Sequence, residues 1–194
     1  MGPNIIVLDL ETKLAFDEVG ERNPAGLGVT VVGTYLYSEA AYRIFREDKI
    51  CELGELLIAR PLLVGFNIKR FDLPVLKPYL RMGINDLPVL DIMEEISKQL
   101  GHRVSLNSVA KATLGVSKSG NGLDAIRYYK NGEWDKLEKY CLDDVRLTKE
   151  LFEYGARQKE LFYLTKFDQA RARVPVDWEI KGPEIVEGLQ YKLW

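Results

Sequence analysis

Histidine is almost missing from this chain, with one in 194 residues, and cysteine occurs twice, at Cys51 and Cys141, with no CxxC pair. These scarcities leave no ligand set for zinc, which is held by clusters of Cys and His, and no disulfide framework. Both cysteines read as small core hydrophobes in a reducing cytoplasm. No apolar run approaches the roughly 18 residues of a membrane helix, and no secretory leader pattern opens the chain. The expected location is therefore cytoplasmic. Met1-Gly2 does not read as a myristoylation start, because Ile6 stands where Ser or Thr is required. Positive charge is not in excess either. With 27 Lys and Arg against 29 Asp and Glu, the net charge is −2, which speaks against a tight architectural DNA binder. It leaves room for an enzyme whose acidic centre offsets a basic rim.

What is present is an ordinary globular composition, 46% hydrophobic and 29% charged, of a length that suits one domain with a real core. Residues 4–10 read as a buried strand. "GVTVVGTYLY" (28–37) and "AYRIF" (41–45) follow as β-branched and aromatic strands joined by short spacers, an expected antiparallel meander. "LGELLIA" (53–59) reads as a helix, "LLVGFN" (62–67) as an all-apolar buried strand, residues 73–81 as a helix stopped by Gly83, and "LPVLD" (87–91) as a fifth strand. Helices are then expected at 92–100, 106–114, about 124–129 and about 134–157. A meander followed by strands alternating with helices predicts an α/β fold with a mixed sheet. The expected division is a main domain over residues 1–160 and a C-terminal extension over 161–194, in which "LFYLTKF" and "ARVPVDW" form a hairpin.

Four carboxylates break this pattern. "VLDLETK" (7–13) puts Asp9 and Glu11 on one face of a core strand, about 6.5–7 Å apart along the backbone. Two like charges there resist burial unless something compensates them. On the long helix, Leu137, Cys141, Val145, Thr148 and Phe152 share one stripe. Tyr140 and Asp144, one turn apart, lie at its edge, while Asp143 is turned about 100° away. Asp72 begins a helix with Pro74 behind it, so an N-cap role competes evenly with a functional one. Asp91, with Glu94 three residues on, reads as a cap and is left out of the site. If Asp9, Glu11, Asp72 and Asp144 converge, hard divalent cations with oxygen ligands would neutralise them, and Mg²⁺ or Mn²⁺ fits better than zinc. A two-metal carboxylate site suits hydrolysis of a phosphodiester.

"LDLET", "GFNIKRFDLPVL" and "YCLDDV" stand in the order and spacing of three motifs: Asp-x-Glu, an Asn followed by an aromatic-Asp pair, and Tyr-x3-Asp. In these the chain resembles the DEDDy-type (DnaQ-like) 3′–5′ exonucleases of the ribonuclease-H-like superfamily, over about residues 4–157. It looks closest to the exonuclease domain of family B DNA polymerases and related stand-alone domains. A histidine variant of that family would carry His five residues before the last Asp, where this chain has Lys139; its one histidine, His102, reads as a solvated loop residue. The resemblance implies two ions, Mg²⁺ or Mn²⁺. Asp9, Glu11 and Asp144 would hold the one that activates water, Asp9 and Asp72 the second, and Tyr140 would orient or deprotonate that water. Leu10, Thr12, Phe66, Asn67 and Phe71 would lie at the terminal nucleotide, although core packing explains each of them at least as well, Phe66 and Leu10 most of all. Lys69, Arg70, Lys111 and Lys118 could meet phosphates or simply be solvated. The implied partner is the 3′ end of single-stranded DNA, or less so RNA, with a protein partner conceivable through tail aromatics such as Trp178 and Trp194. A catalytically silent nucleic-acid-binding scaffold and a ribonuclease-H-like endonuclease stay open as alternatives.

Overall fold

β1 spans Ile5–Thr12, so Glu11 and Thr12 belong to the strand although its apolar run ends before them. The computed structural model describes residues 3–19, 23–81, 83–117, 120 and 122–178. β1 is the centre of a five-stranded sheet that includes β2 (Val29–Leu36), β3 (Ala41–Arg46), β4 (Leu62–Gly65) and β5 (Val89–Asp91), in the order β3-β2-β1-β4-β5. The first three strands form the antiparallel meander, and β4 and β5 add in parallel. Flanking helices complete the mixed α/β architecture.

The alternation of β1 decides which layer each residue meets. Ile6, Leu8 and Leu10 pack with α1 (Ile50–Ile58) and α2 (Asp72–Leu76). Ile5 and Val7 face the opposite layer of α3 (Ile92–Leu100), α4 (Leu106–Leu114) and α6 (Trp134–Gln158). A shorter helix, α5 (Gly122–Lys130), lies between α4 and α6 in sequence. Asp9 and Glu11 continue the Ile5–Val7 face. They are therefore the point where a hydrophobic face runs into charge, under the long helix.

Two helices differ most from their expected bounds. α1 starts three residues early, at Ile50, because Ile50, Leu53 and Leu57 make one buried stripe. Cys51 is exposed rather than in the core, one residue and about 100° away from Ile50; only Cys141 is buried as read. α2 ends at Leu76 and continues only as a 3₁₀ turn over Lys77–Tyr79, since Pro78 has no amide hydrogen and collides with the preceding turn. α3 and α4 keep their expected bounds, capped by Asp91 and Ser105 and closed by left-handed Gly101 and Gly115.

After α6 the chain forms an antiparallel hairpin, β6 (Glu160–Leu164) and β7 (Arg171–Pro175). A lone hairpin would leave the edge of β6 with unpaired backbone groups. Two hydroxyls of α4 satisfy them: Ser108 Oγ accepts from Leu164 N and donates to Leu164 O, and Thr113 Oγ1 does the same for Phe162. Arg171 adds a bond to Ala112 O. Trp178 is not an exposed docking aromatic. It is buried against Phe152 and Gly155, its indole N–H donating to Phe152 O, and Gly155 leaves room for the ring, since a Cβ there would stand 2.1 Å from it. Trp194 lies outside the described residues. No helix among the described residues is long and apolar enough to cross a membrane.

Candidate active site

Gly33 brings the site together. It pairs with Asp9 across β1 and β2, and a Cβ at Gly33 would meet Cys141 Sγ at 2.9 Å and Val145 Cγ2 at 3.0 Å. Without a side chain in the way, α6 lies down on the sheet beside Asp9, with Cys141 Sγ 3.5 Å from Asp9 O. Asp144, one turn further on, is thereby carried to the strand carboxylates. Oxygens of Asp9, Glu11 and Asp144 lie within 4.8 Å of one another. Asp144 is buried at 4% exposure, whereas Asp143 is half-exposed and sits 3.8 Å from Arg146. The same contact buries the Cys141 thiol, which burial, with Asp9 beside it, pushes well above its ordinary range; it stays protonated and inert.

Asp72 does not cap its helix. Phe71 occupies the N-cap position without a side-chain bond, and the Asp72 carboxylate instead accepts from Leu10 N at 3.1 Å, inside the same cavity as Asp9, Glu11 and Asp144. Burial raises its pKa to about 8, and the charges of Asp91 and Asp144 push in the same direction. Asp91 is the cap that its sequence pattern predicts, accepting from Glu94 N, but it also holds the loop before α2 by accepting from Asn67 N and Lys69 N. Asn67 takes a left-handed conformation there, at φ 69°. This second role of Asp91 has no local signal, because its partners are more than twenty residues away.

The raised Asp72 pKa predicts a pH dependence in the metal-free protein. Between about pH 4, where an unfolded Asp titrates, and about pH 8, the folded state holds a proton that the unfolded state releases. Stability therefore falls as pH rises across that window. Thermal melts in EDTA at several pH values check this: the wild type should lose stability toward pH 8, and Asp72→Asn should flatten that decline. A decline of equal slope in the variant would assign it to other groups.

The expected substrate residues divide. Phe66, Phe71, Leu10 and Thr12 line the cavity, which measures about 550 Å³. Leu10 is also core, and its N–H is committed to Asp72. The Thr12 hydroxyl donates to Leu14 O. Asn67 is not part of the lining; its side-chain oxygen accepts from Arg103 at 2.6 Å. Lys69 is ion-paired with Glu94, Arg70 and Lys111 are exposed, and Lys118 lies outside the described residues. His102 is exposed, with Nδ1 3.1 Å from Leu100 O. Apolar members of the wall that escaped the sequence reading include Phe16, Leu123 and Ile126. Phe16 is 43% exposed and meets Phe71 edge-on at 6.0 Å, and Leu123 is 69% exposed. Their signal is large apolar residues left uncovered at the mouth of an acidic site, visible only once the chain is folded.

The cluster offers a hard cation carboxylate oxygens, and among the described residues no cysteine or histidine lines the cavity. The donor set fits a divalent metal. No curated protein matches the chain. The family model described as the RNase H superfamily does match, over residues 7–155, and the chain belongs to that superfamily.

Proposed function

We propose that this protein is a metal-dependent 3′–5′ exonuclease of the DEDDy type, which hydrolyses single-stranded nucleic acid, DNA in preference to RNA, and releases nucleoside 5′-monophosphates. The observation that carries the reading is the convergence of Asp9, Glu11 and Asp144 within 4.8 Å, with Asp72 and Tyr140 on the same cavity. Membership of the RNase H superfamily supports nuclease chemistry. The apolar wall supports the exonuclease form: Phe16, Phe66, Phe71 and Leu123 give a splayed terminal base surfaces to lie against, and a continuous duplex has no use for them.

Asp9, Glu11 and Asp144 would hold one Mg²⁺ or Mn²⁺, and Asp72 with Asp9 a second. When bound, the ions supply Lewis acidity at the scissile phosphate and an acidified water. Tyr140, on the same cavity one turn before Asp144, would orient that water for in-line attack. Asn67, outside the cavity lining and bonded through its oxygen to Arg103, drops out of the proposed substrate contacts. The Leu10 N–H holds Asp72 in place instead of touching the 3′ end.

The test is one gel with 5′-labelled DNA and RNA strands in Mg²⁺, Mn²⁺ or EDTA. A one-nucleotide ladder from the 3′ end, lost in EDTA, is the expected result. Internal cuts would assign an endonuclease, and binding without cutting a silent scaffold.

Metal should also stabilise the fold. At about a hundredfold excess over Kd, binding to the native state contributes about 2.7 kcal/mol, or roughly 5–10 °C in Tm for a chain of this size. Asp9→Asn should leave the metal-free protein as stable or more so, by relieving repulsion, and remove most of the gain. Melts of both proteins in EDTA and in excess Mn²⁺ read this directly; an identical metal response would remove Asp9 from the ligand set.

A further inference from the structure

A second cavity, of about 460 Å³, opens between the start of α4 and the turn of the β6–β7 hairpin. Its lining includes His102, Arg103, Lys111 and Lys166, with Ser105 and Gln169, and no carboxylate. Among the described residues no carboxylate pairs with Arg103, Lys111 or Lys166, whereas cations elsewhere on this surface are mostly ion-paired with Asp or Glu. In a protein of net charge −2, three cations gathered without a counter-charge are a place for an anion. The walls are held rigidly, since Ser108 and Thr113 of α4 bond the backbone of β6 and Arg171 bonds Ala112 O.

Two further observations narrow the anion. Phe167, at the hairpin turn beside Lys166, is fully exposed, at 102%, and His102 meets Tyr163 edge-on at 6.1 Å. Cations interleaved with exposed rings suit a single-stranded nucleic acid, whose phosphates take the charges and whose bases take the rings. A short chain of residues leads from this cavity toward the acidic centre: Arg103 donates to Asn67 Oδ1, and Asn67 follows Phe66, which lines the first cavity. The hairpin lies beyond the residues matched by the family model, 7–155.

We propose that the hairpin and α4 form a strand-holding groove for the nucleotides upstream of the 3′ end, with Arg103, Lys111 and Lys166 on phosphates and Phe167 stacked on a base. This rests on the nuclease reading of the acidic centre but uses residues outside it. A strand that is held there stays aligned with the centre after each terminal nucleotide leaves.

The experiment is fluorescence anisotropy with a 5′-labelled single-stranded oligonucleotide of about a dozen nucleotides, on protein carrying Asp144→Asn to prevent cleavage. Lys111→Ala with Lys166→Ala should weaken binding and lower the slope of log affinity against log salt by roughly 0.7 for each phosphate that is no longer neutralised. Phe167→Ala should weaken binding by about tenfold with little change in that slope, and, being fully exposed, it should melt like its parent. Affinity and salt slope equal to the parent in both variants would overturn the groove. Cleavage is scored separately on the unsubstituted protein. If it cuts while the groove variants bind normally, the groove is wrong and the nuclease reading stands. If it never cuts while the variants bind weakly, the reverse holds.

Discussion

Asp144→Asn should cut the rate of 3′-end cleavage by at least about 10³-fold, the equivalent of roughly 4 kcal/mol of transition-state stabilisation, while Asp143→Asn leaves it within about twofold. The two residues are adjacent and chemically identical, so composition cannot separate them; helical phase does. Asp144 is buried and has its carboxylate within reach of Asp9 and Glu11. Asp143 is half-exposed, with its nearest cation at 3.8 Å, an ion pair of the kind that contributes little. An amide at position 144 keeps the shape and loses the charge and a lone-pair site that a hard cation needs. Rates on a 5′-labelled strand at saturating Mn²⁺ measure the contrast. Equal effects at 143 and 144 would mean that α6 presents a different face to the sheet.

Tyr140→Phe should lower the rate by about 10²–10⁴-fold, the range expected when a positioned acid–base group is lost. The ring would stay. It is buried at 5% exposure and packs with Val31, Leu137 and Cys141, a setting that phenylalanine keeps. Stability should therefore change by less than about 1 kcal/mol. The comparison that matters is kcat against Tm, because a packing residue would lower stability and leave chemistry alone. If the hydroxyl takes part in proton transfer, the limb of the pH–rate profile that it governs should move as well. Wild-type kcat in the variant would reduce Tyr140 to a wall of the cavity.

The difference between Asp72 and Asp91 shows where local reading ends. Both stand at the head of a helix in a pattern that suits a cap. Asp91 caps as its spacing to Glu94 says, because the bond it makes is three residues long. Asp72 does not, because a partner 62 residues away, Leu10 N, takes its carboxylate. A cap is a contest between a local N–H and any distant one that the fold delivers, and only the fold knows the second contender. Cys51 makes the same point in the opposite direction: its type favours burial, but its helix is phased by Ile50, Leu53 and Leu57, and it faces outward.

Local pattern along the chain by itself determined the α/β class, the meander, the bounds of α3 and α4 through their caps, and the inward face of α6 with Tyr140 and Asp144, since each is a repeat of 2.0 or 3.6 residues or a cap that neighbours alone can express. The two charges on β1 were legible as a conflict demanding a counter-charge. Tertiary structure alone decided how close they come to α6, through the bare backbone of Gly33. It also decided that Asp72 joins them, that Phe16 and Leu123 close the wall, and that Lys111 and Lys166 share a groove. Those depend on pairs far apart in sequence, and no residue carries a local mark of the distant surface against which the sheet will set it.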